Sequence, residues 1–178
     1  LEPDRSPTDV RALLLRVVDE VDHLEGWPVE VEAGAVTAAI DASKIERIVE
    51  NLLVNATKYT PPGTPLWVRG LARGRDLELV VADAGPGVPP KLAGSVFEPF
   101  GQGGPDDSHG IGLSLVTRFA QLHGGQAWVS ERTGGGASFH VMLPDAVLLP
   151  GALGVPAPRD APAHADPLPA GDRSPVAR

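Results

Sequence analysis

Three segments of the chain carry apolar residues three or four positions apart, the spacing that lines one face of a helix. Thr8 is the expected N-cap of the first helix, and proline or glycine follows each segment. These residues end helices because proline lacks an amide hydrogen and glycine readily leaves the helical conformation. The predicted helices span residues 8–24, about 43–59 and about 110–123.

Other segments alternate apolar with polar residues, or form short apolar runs bounded by turn residues, as strands do. The predicted strands span residues 29–32, 36–40, 66–72, 77–83, 126–131 and 137–143. The last two form a hairpin around three consecutive glycines. The predicted fold class is therefore α+β, a two-layer α/β sandwich in which a mixed sheet is covered on one face by about three helices.

Composition excludes several classes of function. The chain has 178 residues and no cysteine, so a disulfide framework and a thiolate zinc site are excluded and a reducing, cytoplasmic setting is favoured. Its net charge of −8 argues against general binding of nucleic acid or of anionic membranes. No apolar run approaches the roughly 18 residues of a membrane span. We therefore expect no nucleic-acid partner and no membrane contact.

The two ends of the chain differ from its middle. Residues 1–7 begin at Leu1 rather than Met and are polar, which favours a linker remnant within a longer protein. Residues 145–178 contain seven prolines and eight alanines without apolar periodicity, so they are predicted to be a disordered tail. Their one apolar patch, 146–149, could instead dock on the domain. The folded domain is expected at residues 8–144.

The second predicted helix carries an unusual polar face. At 100° per residue, Asn51, Asn55 and Lys58 lie within roughly 60° of each other, beside the apolar stripe. Asparagine is a poor helix former, whereas its carbonyl oxygen suits a hard cation such as Mg²⁺, and the Lys58 ammonium suits a phosphate. The alternative is an ordinary solvated face.

A carboxylate and two glycines follow the apolar run 79–82 of the predicted strand 77–83. In Asp83-Ala84-Gly85-Pro86-Gly87, the carboxylate could accept a hydrogen bond from a ligand while the glycine backbone approaches closely. The alternative is an Asx turn.

Ser108-His109-Gly110-Ile111-Gly112-Leu113 opens the third predicted helix. Free amides and the positive end of the helix dipole at this position favour an anion. The alternative is an ordinary loop in which the glycines bind no ligand.

Two of the four phenylalanines, Phe97 and Phe100, stand in a Gly-rich stretch. They could anchor the base of a loop at 101–108 that covers a pocket. A plain surface connection is the alternative.

Taken in order, these segments resemble the sequence boxes of sensor histidine kinases. Residues 51–60 resemble the N box, 83–87 the first glycine box, 97–100 the F box, 110–113 the second glycine box, and 134–139 the final Gly-rich hairpin. Each box by itself is a weak signal, but five boxes in the family's order over residues 8–144 make the resemblance specific. It implies the ATP-binding catalytic domain of a two-component histidine kinase, with the Bergerat fold of the GHKL superfamily.

The resemblance also implies a role for individual residues. Asp83 would bind the adenine amino group, and Asn55 and Asn51 would be the metal ligands for Mg²⁺; with Lys58 they are the expected catalytic residues. Asn51 and Lys58 would line the phosphates, and Tyr59 would flank the nucleotide. The expected ATP-binding positions are Asn51, Asn55, Lys58, Tyr59, Asp83, Gly85, Gly87, Phe100, His109, Gly110, Ile111, Gly112 and Leu113.

Asn51 bears on the reaction as well. ATP-hydrolysing relatives in the superfamily resemble each other in carrying a glutamate at this position, which activates water. Without a base there, ATP should persist until an acceptor histidine receives the γ-phosphoryl group.

An acceptor motif, histidine followed by an acidic residue and Arg/Asn-Thr-Pro, is absent from the sequence, and the five histidines are expected to be surface or packing residues. The expected partners are a phosphoacceptor histidine domain, in the parent protein or on another chain, and a cognate response regulator. Whether the parent kinase is membrane-anchored stays open.

Two departures from the family's pattern favour an alternative function. Ser108 replaces the usual first glycine of the second glycine box, and the 101–108 loop lacks the Arg or Lys often found after the F box. Gln102 or His109 could contact the γ-phosphate instead. The alternative is a nucleotide-binding or docking module without efficient phosphotransfer.

Overall fold

A computed structural model describes residues 2–98 and 109–149, with the side chains of 109–111 left out. The helices in these ranges are α1 (Val10–Glu20), α2 (Ala42–Tyr59) and α3 (His109–Leu122). The strands are β1 (Ser6–Asp9), β2 (Val29–Ala33), β3 (Thr37–Ile40), β4 (Leu66–Arg73), β5 (Asp76–Asp83), β6 (Gln126–Glu131) and β7 (Ala137–Leu143).

The strands of the described ranges form one sheet of five strands and one of two. The large sheet has the order β2-β4-β5-β7-β6, and the small sheet pairs β1 with β3. The β2–β4 pair is parallel, whereas β4–β5, β5–β7 and β6–β7 are antiparallel. The large sheet is therefore mixed, which confirms the predicted α+β fold class.

The core lies between this sheet and the helices. Alternate residues of the central strands point into it, and Leu66, Leu77, Leu79, Val141 and Leu143 are at most 1% exposed. Each fully buried side chain of this size contributes roughly 1.5–3 kcal/mol. The apolar stripe of α2 meets these residues and is flanked by α1 and α3. Within the described ranges, every helix is too short or too polar to cross a membrane.

The first helix begins and ends at different residues from those predicted. Its N-cap is Asp9, whose side chain accepts a hydrogen bond from Ala12 N, and not Thr8; the helix ends at Glu20, and not at 24. The start differs for a tertiary reason, because β1 pairs with β3 as far as Asp9 and keeps Thr8 extended. Part of the predicted linker therefore belongs to the fold.

The predicted tail boundary at 144 is also too early. Ala146 is 1% exposed, and its carbonyl accepts a hydrogen bond from Ala39 N at 2.7 Å. Val147 forms an isolated bridge with Ala38, and Leu148 N donates to Thr37 O at 2.8 Å. The apolar patch docks because β3 offers an unpaired edge opposite β1. The tail from residue 150 onward lies outside the described residues.

Candidate functional site

Asn51 faces α3. Its Nδ2 donates to Arg47 O one turn earlier, at 2.6 Å. This bond turns the amide oxygen away from Arg47, and a Cβ added at Gly112 would lie 3.1 Å from Asn51 Oδ1. The N box and the second glycine box, distant in sequence, therefore meet at this point.

The other polar residues of α2 follow toward its C-terminus. Asn55 is partly exposed one turn after Asn51, and Lys58 lies in the last turn, where its charge complements the helix dipole. Tyr59 is 52% exposed, and partial burial raises the pKa of its hydroxyl. The predicted polar face is thus continuous along α2 and remains accessible.

Asp83 ends β5 and begins a tight turn. It is 5% exposed, and its Oδ1 accepts a hydrogen bond from Gly85 N at 2.8 Å. This contact is the Asx turn considered as the alternative. A carboxylate can accept several hydrogen bonds, so the turn orients Asp83 and leaves acceptor capacity for a ligand.

The C-terminus of α2 presses against this turn. Thr60 is the C-cap of α2 and is 6% exposed. A Cβ added at Gly85 would lie 2.5 Å from Thr60 Cγ2, so the close approach requires glycine here. The Asp83 turn is thereby held directly beside the end of the helix that carries Asn51 and Asn55.

The final hairpin lies on the other side of the turn. Gly136 is buried and has φ +105°, and a Cβ there would lie 1.9 Å from Asp83 O. A Cβ at Gly87 would in turn lie 3.2 Å from Gly136 O. The β6–β7 loop is therefore packed on the segment from Asp83 to Gly87, which explains the glycines at both positions.

Three residues near the turn were missed as functional candidates. Trp27 Nε1 donates to Thr60 Oγ1 at 2.9 Å, and Thr60 Oγ1 donates to Ala56 O at 2.8 Å. Arg132 Nε donates to Asp83 O at 3.2 Å. An arginine inside a Gly-rich hairpin was the available signal, but its partner was fixed only by the fold.

The structure describes some of the remaining predicted site residues and not others. His109, Gly110 and Ile111 form the first turn of α3, where backbone amides lack acceptors within the helix, as an anion site requires. Leu113 is 6% exposed and packs into the core. Phe97 contacts Phe139, with ring centroids 6.0 Å apart. Phe100 and the 101–108 loop lie outside the described residues.

Two histidines have structural roles, as predicted. His123 is 1% exposed; its Nδ1 donates to Phe119 O at 2.8 Å, and its Nε2 accepts from Asp41 N at 3.1 Å. Burial lowers the pKa of His123, which keeps the ring neutral. His140 stacks on Trp128 and pairs with Glu78.

Together these elements bring different binding groups into one region. The polar face of α2 carries amide oxygens and an ammonium; the start of α3 lies against it at Asn51, and the Asp83 turn with its carboxylate lies against the C-terminus of α2 at Thr60. A hydrogen-bond donor fits the carboxylate, a hard cation fits the amide oxygens, and an anion fits the ammonium and the amides of α3. A nucleotide with a bound divalent cation carries all three.

Comparison with known proteins gives a consistent result. The family model described as histidine kinase-, DNA gyrase B-, and HSP90-like ATPase matches residues 40–147. The sensor histidine kinase TmoS of Ectopseudomonas mendocina is 41% identical over 113 residues, or 60% of this chain. The match spans 12% of that kinase, so the chain corresponds to a small part of its length.

Solved structures of sensor histidine kinases are similar to this chain as well. The mycobacterial sensor histidine kinase MprB superposes with a TM-score of 0.70 at 32% identity, over 79% of this chain and 97% of that one. Full-length ShkA in complex with AMPPNP gives a TM-score of 0.72 at 28% identity, over 84% of this chain and 32% of that one.

Proposed function

The chain belongs to the family of histidine kinase-, DNA gyrase B- and HSP90-like ATPases, and we propose that it is the ATP-binding catalytic domain of a sensor histidine kinase. In this proposal it transfers the γ-phosphoryl group of Mg-ATP to a histidine on a separate phosphoacceptor domain. The observation that carries it is the convergence of α2, the Asp83 turn and the start of α3, with Asn51 Oδ1 facing Gly112.

Asp83 is proposed to recognise the base. Its carboxylate is nearly buried and already oriented by Gly85 N, so little side-chain entropy is lost when it accepts a hydrogen bond from the adenine amino group. Gly85 and Gly87 would let the backbone approach the base closely. Tyr59 would lie beside the nucleotide at the accessible end of α2.

Asn51, Asn55 and Lys58 are proposed to act on the phosphates. The Asn51 amide is oriented by Arg47 O so that its oxygen faces α3, and the donor set of two amide oxygens fits Mg²⁺. When bound, Mg²⁺ would supply charge neutralisation at the phosphate oxygens. Lys58 and the first-turn amides of α3, from His109 to Gly112, would hold the phosphates of an otherwise acidic chain.

Transfer requires positioning more than covalent chemistry from the protein. The acceptor imidazole nitrogen attacks the γ-phosphorus, the new P–N bond forms as the bond to the ADP oxygen breaks, and ADP leaves with that electron pair. Asn51 stands where a water-activating base would be needed for hydrolysis, and an amide cannot accept a proton at neutral pH. ATP bound here would therefore await a histidine.

A calorimetric titration tests the proposal. The chain should bind a non-hydrolysable ATP analogue, more tightly with Mg²⁺ than without it, and Asp83→Asn should weaken binding. Gly34→Ala is the matched control, because a Cβ at Gly34 has open space around it. Absence of binding at millimolar nucleotide would refute the proposal.

Transfer needs a second assay with labelled ATP and a separately prepared phosphoacceptor domain. Labelled acceptor supports the kinase; binding without label would favour the alternative, a nucleotide-binding or docking module. As part of the same proposal, the chain works in the cytoplasm, with a cognate response regulator receiving the phosphoryl group.

A further inference from the structure

Arg132 stands at the start of the loop that joins β6 and β7. Its Nε–H is shared between two main-chain carbonyls, that of Asp83 at 3.2 Å and that of Gly135 at 2.8 Å. The first carbonyl belongs to the residue at which β5 ends and the chain turns out of the sheet. One side chain thus links the final hairpin to the Asp83 turn.

The guanidinium of Arg132 is held from a second direction by β4. Its Cζ lies 4.5 Å from the centroid of the Trp67 ring, the geometry of a cation–π contact. Trp67 pairs with Ala82 in the β4–β5 register, next to Asp83. A stacked guanidinium has fewer orientations than a solvated one, so Trp67 aims the Nε–H at the Asp83 carbonyl.

The Asp83 carbonyl matters because it defines the first peptide plane of the turn. Rotation of this plane would move Gly85 N away from Asp83 Oδ1, which it meets at 2.8 Å. Thr60 limits movement of the turn on one side, and Gly136 lies against the Asp83 carbonyl on the other. Two polar contacts hold the plane itself: Ala84 N donates to Pro65 O at 3.2 Å, and Arg132 donates to the Asp83 carbonyl on the opposite side of the peptide.

We infer that Arg132, supported by Trp67, is a positioning residue that orients the Asp83 carboxylate for the amino group of the adenine base. This inference rests on the proposed function. Arg132 would contribute to base specificity through the main chain of Asp83, and it should affect recognition of the base more than binding of the phosphates.

Two nucleotides separate positioning from general support of the hairpin. One is a non-hydrolysable ATP analogue; the other is its counterpart with purine in place of adenine, which lacks the amino group. Arg132→Ala should weaken binding of the first by about 3–10-fold, as expected for one lost hydrogen bond. Binding of the second should change less than about twofold, and Arg132→Ala should add no further loss in an Asp83→Asn chain.

Arg69→Ala is the matched control. Arg69 lies on β4 two residues from Trp67 and pairs with Glu32 at 2.6 Å, away from the Asp83 turn. Its removal should leave the affinity for both nucleotides unchanged. Arg132→Lys keeps a cation that can donate to a carbonyl, so it should retain part of the preference for the adenine analogue, and it serves as the test should the alanine variant fail to fold.

The outcomes are distinguishable. An equal loss for both nucleotides, or no loss for either, overturns the positioning role while leaving nucleotide binding intact. A chain that binds neither nucleotide before any substitution overturns the proposed function and this inference with it. A loss confined to the adenine analogue, absent in the Asp83→Asn background, supports the inference.

Discussion

Gly85 offers the sharpest test of how the turn is built, because its two nearest neighbours have different roles. A Cβ at this position would lie 2.5 Å from Thr60 Cγ2 and 2.9 Å from Asp83 Oδ1. The first atom belongs to the C-cap of α2, and the second to the carboxylate proposed to bind the base. Gly85→Ala should therefore reduce stability and nucleotide affinity together.

The two effects can be separated by removing one neighbour. Overpacking of this kind costs about 1–3 kcal/mol. Thr60→Ser deletes the Cγ2 methyl but keeps the hydroxyl that bonds Trp27 and Ala56; alone, it should cost about 1 kcal/mol through the lost buried methyl. In the double variant the methyl clash is gone, so the two costs should fall short of additivity by about 1 kcal/mol.

Nucleotide affinity should respond differently. The contact with Asp83 Oδ1 persists in the double variant, so we expect weakened binding of a non-hydrolysable ATP analogue in Gly85→Ala with or without Thr60→Ser. Stability is measured by urea unfolding and affinity by calorimetry, with Gly34→Ala as the control. Additive stability costs, or full recovery of affinity in the double variant, would refute this account of the turn.

Three further predictions concern other parts of the molecule. Burial in the folded chain lowers the pKa of His123 below its ordinary value of 6.5. Below about pH 6.5 the unfolded chain therefore binds more protons than the folded chain, and the free energy of unfolding should fall as the pH drops. Urea unfolding at pH 7.5 and 5.5 checks this, and a His123→Gln chain that keeps the same pH dependence over this interval would contradict it. Asn55→Ala should abolish the Mg²⁺ dependence of nucleotide affinity without unfolding the chain; calorimetry that still shows tighter binding with Mg²⁺ would exclude Asn55 as a ligand. Ala146→Glu should destabilise the fold by about 1–3 kcal/mol, because it buries a charge beside β3; an unchanged urea midpoint would mean that the docked segment contributes nothing.

Asp41 titrates in a separate pH range from His123. Burial alone would raise the pKa of Asp41, but hydrogen bonds from Lys44, Ser43 and the amides of Asp4 and Lys44 hold it well below its usual value. Its contribution to stability is therefore present above about pH 4 and is lost as the pH falls further. The change expected from His123 between pH 7.5 and 5.5 is thus not confounded by Asp41.

Periodicity predicted most of the elements because their local and tertiary preferences agree. The apolar stripe of α2 faces the core, and the stop at Thr60 coincides with the C-cap. The boundaries near residues 8 and 144 were wrong for one shared reason. Thr8 and Val147 are placed by pairing with the two edges of β3, and such long-range pairing leaves no periodic signal in a single segment.

The sequence alone determined which chemical groups this protein carries and their order: a helix face with Asn51 and Asn55, a carboxylate at a strand end, and glycines at a helix start and in a hairpin. The orientation of these groups depends on contacts that form when the chain packs. Arg132 reaches the Asp83 carbonyl across 49 positions of the sequence, and Gly112 meets Asn51 across the α2–α3 junction. Side-chain type is local information, whereas the direction of a carboxylate or an amide depends on neighbours that only the packed chain brings into contact.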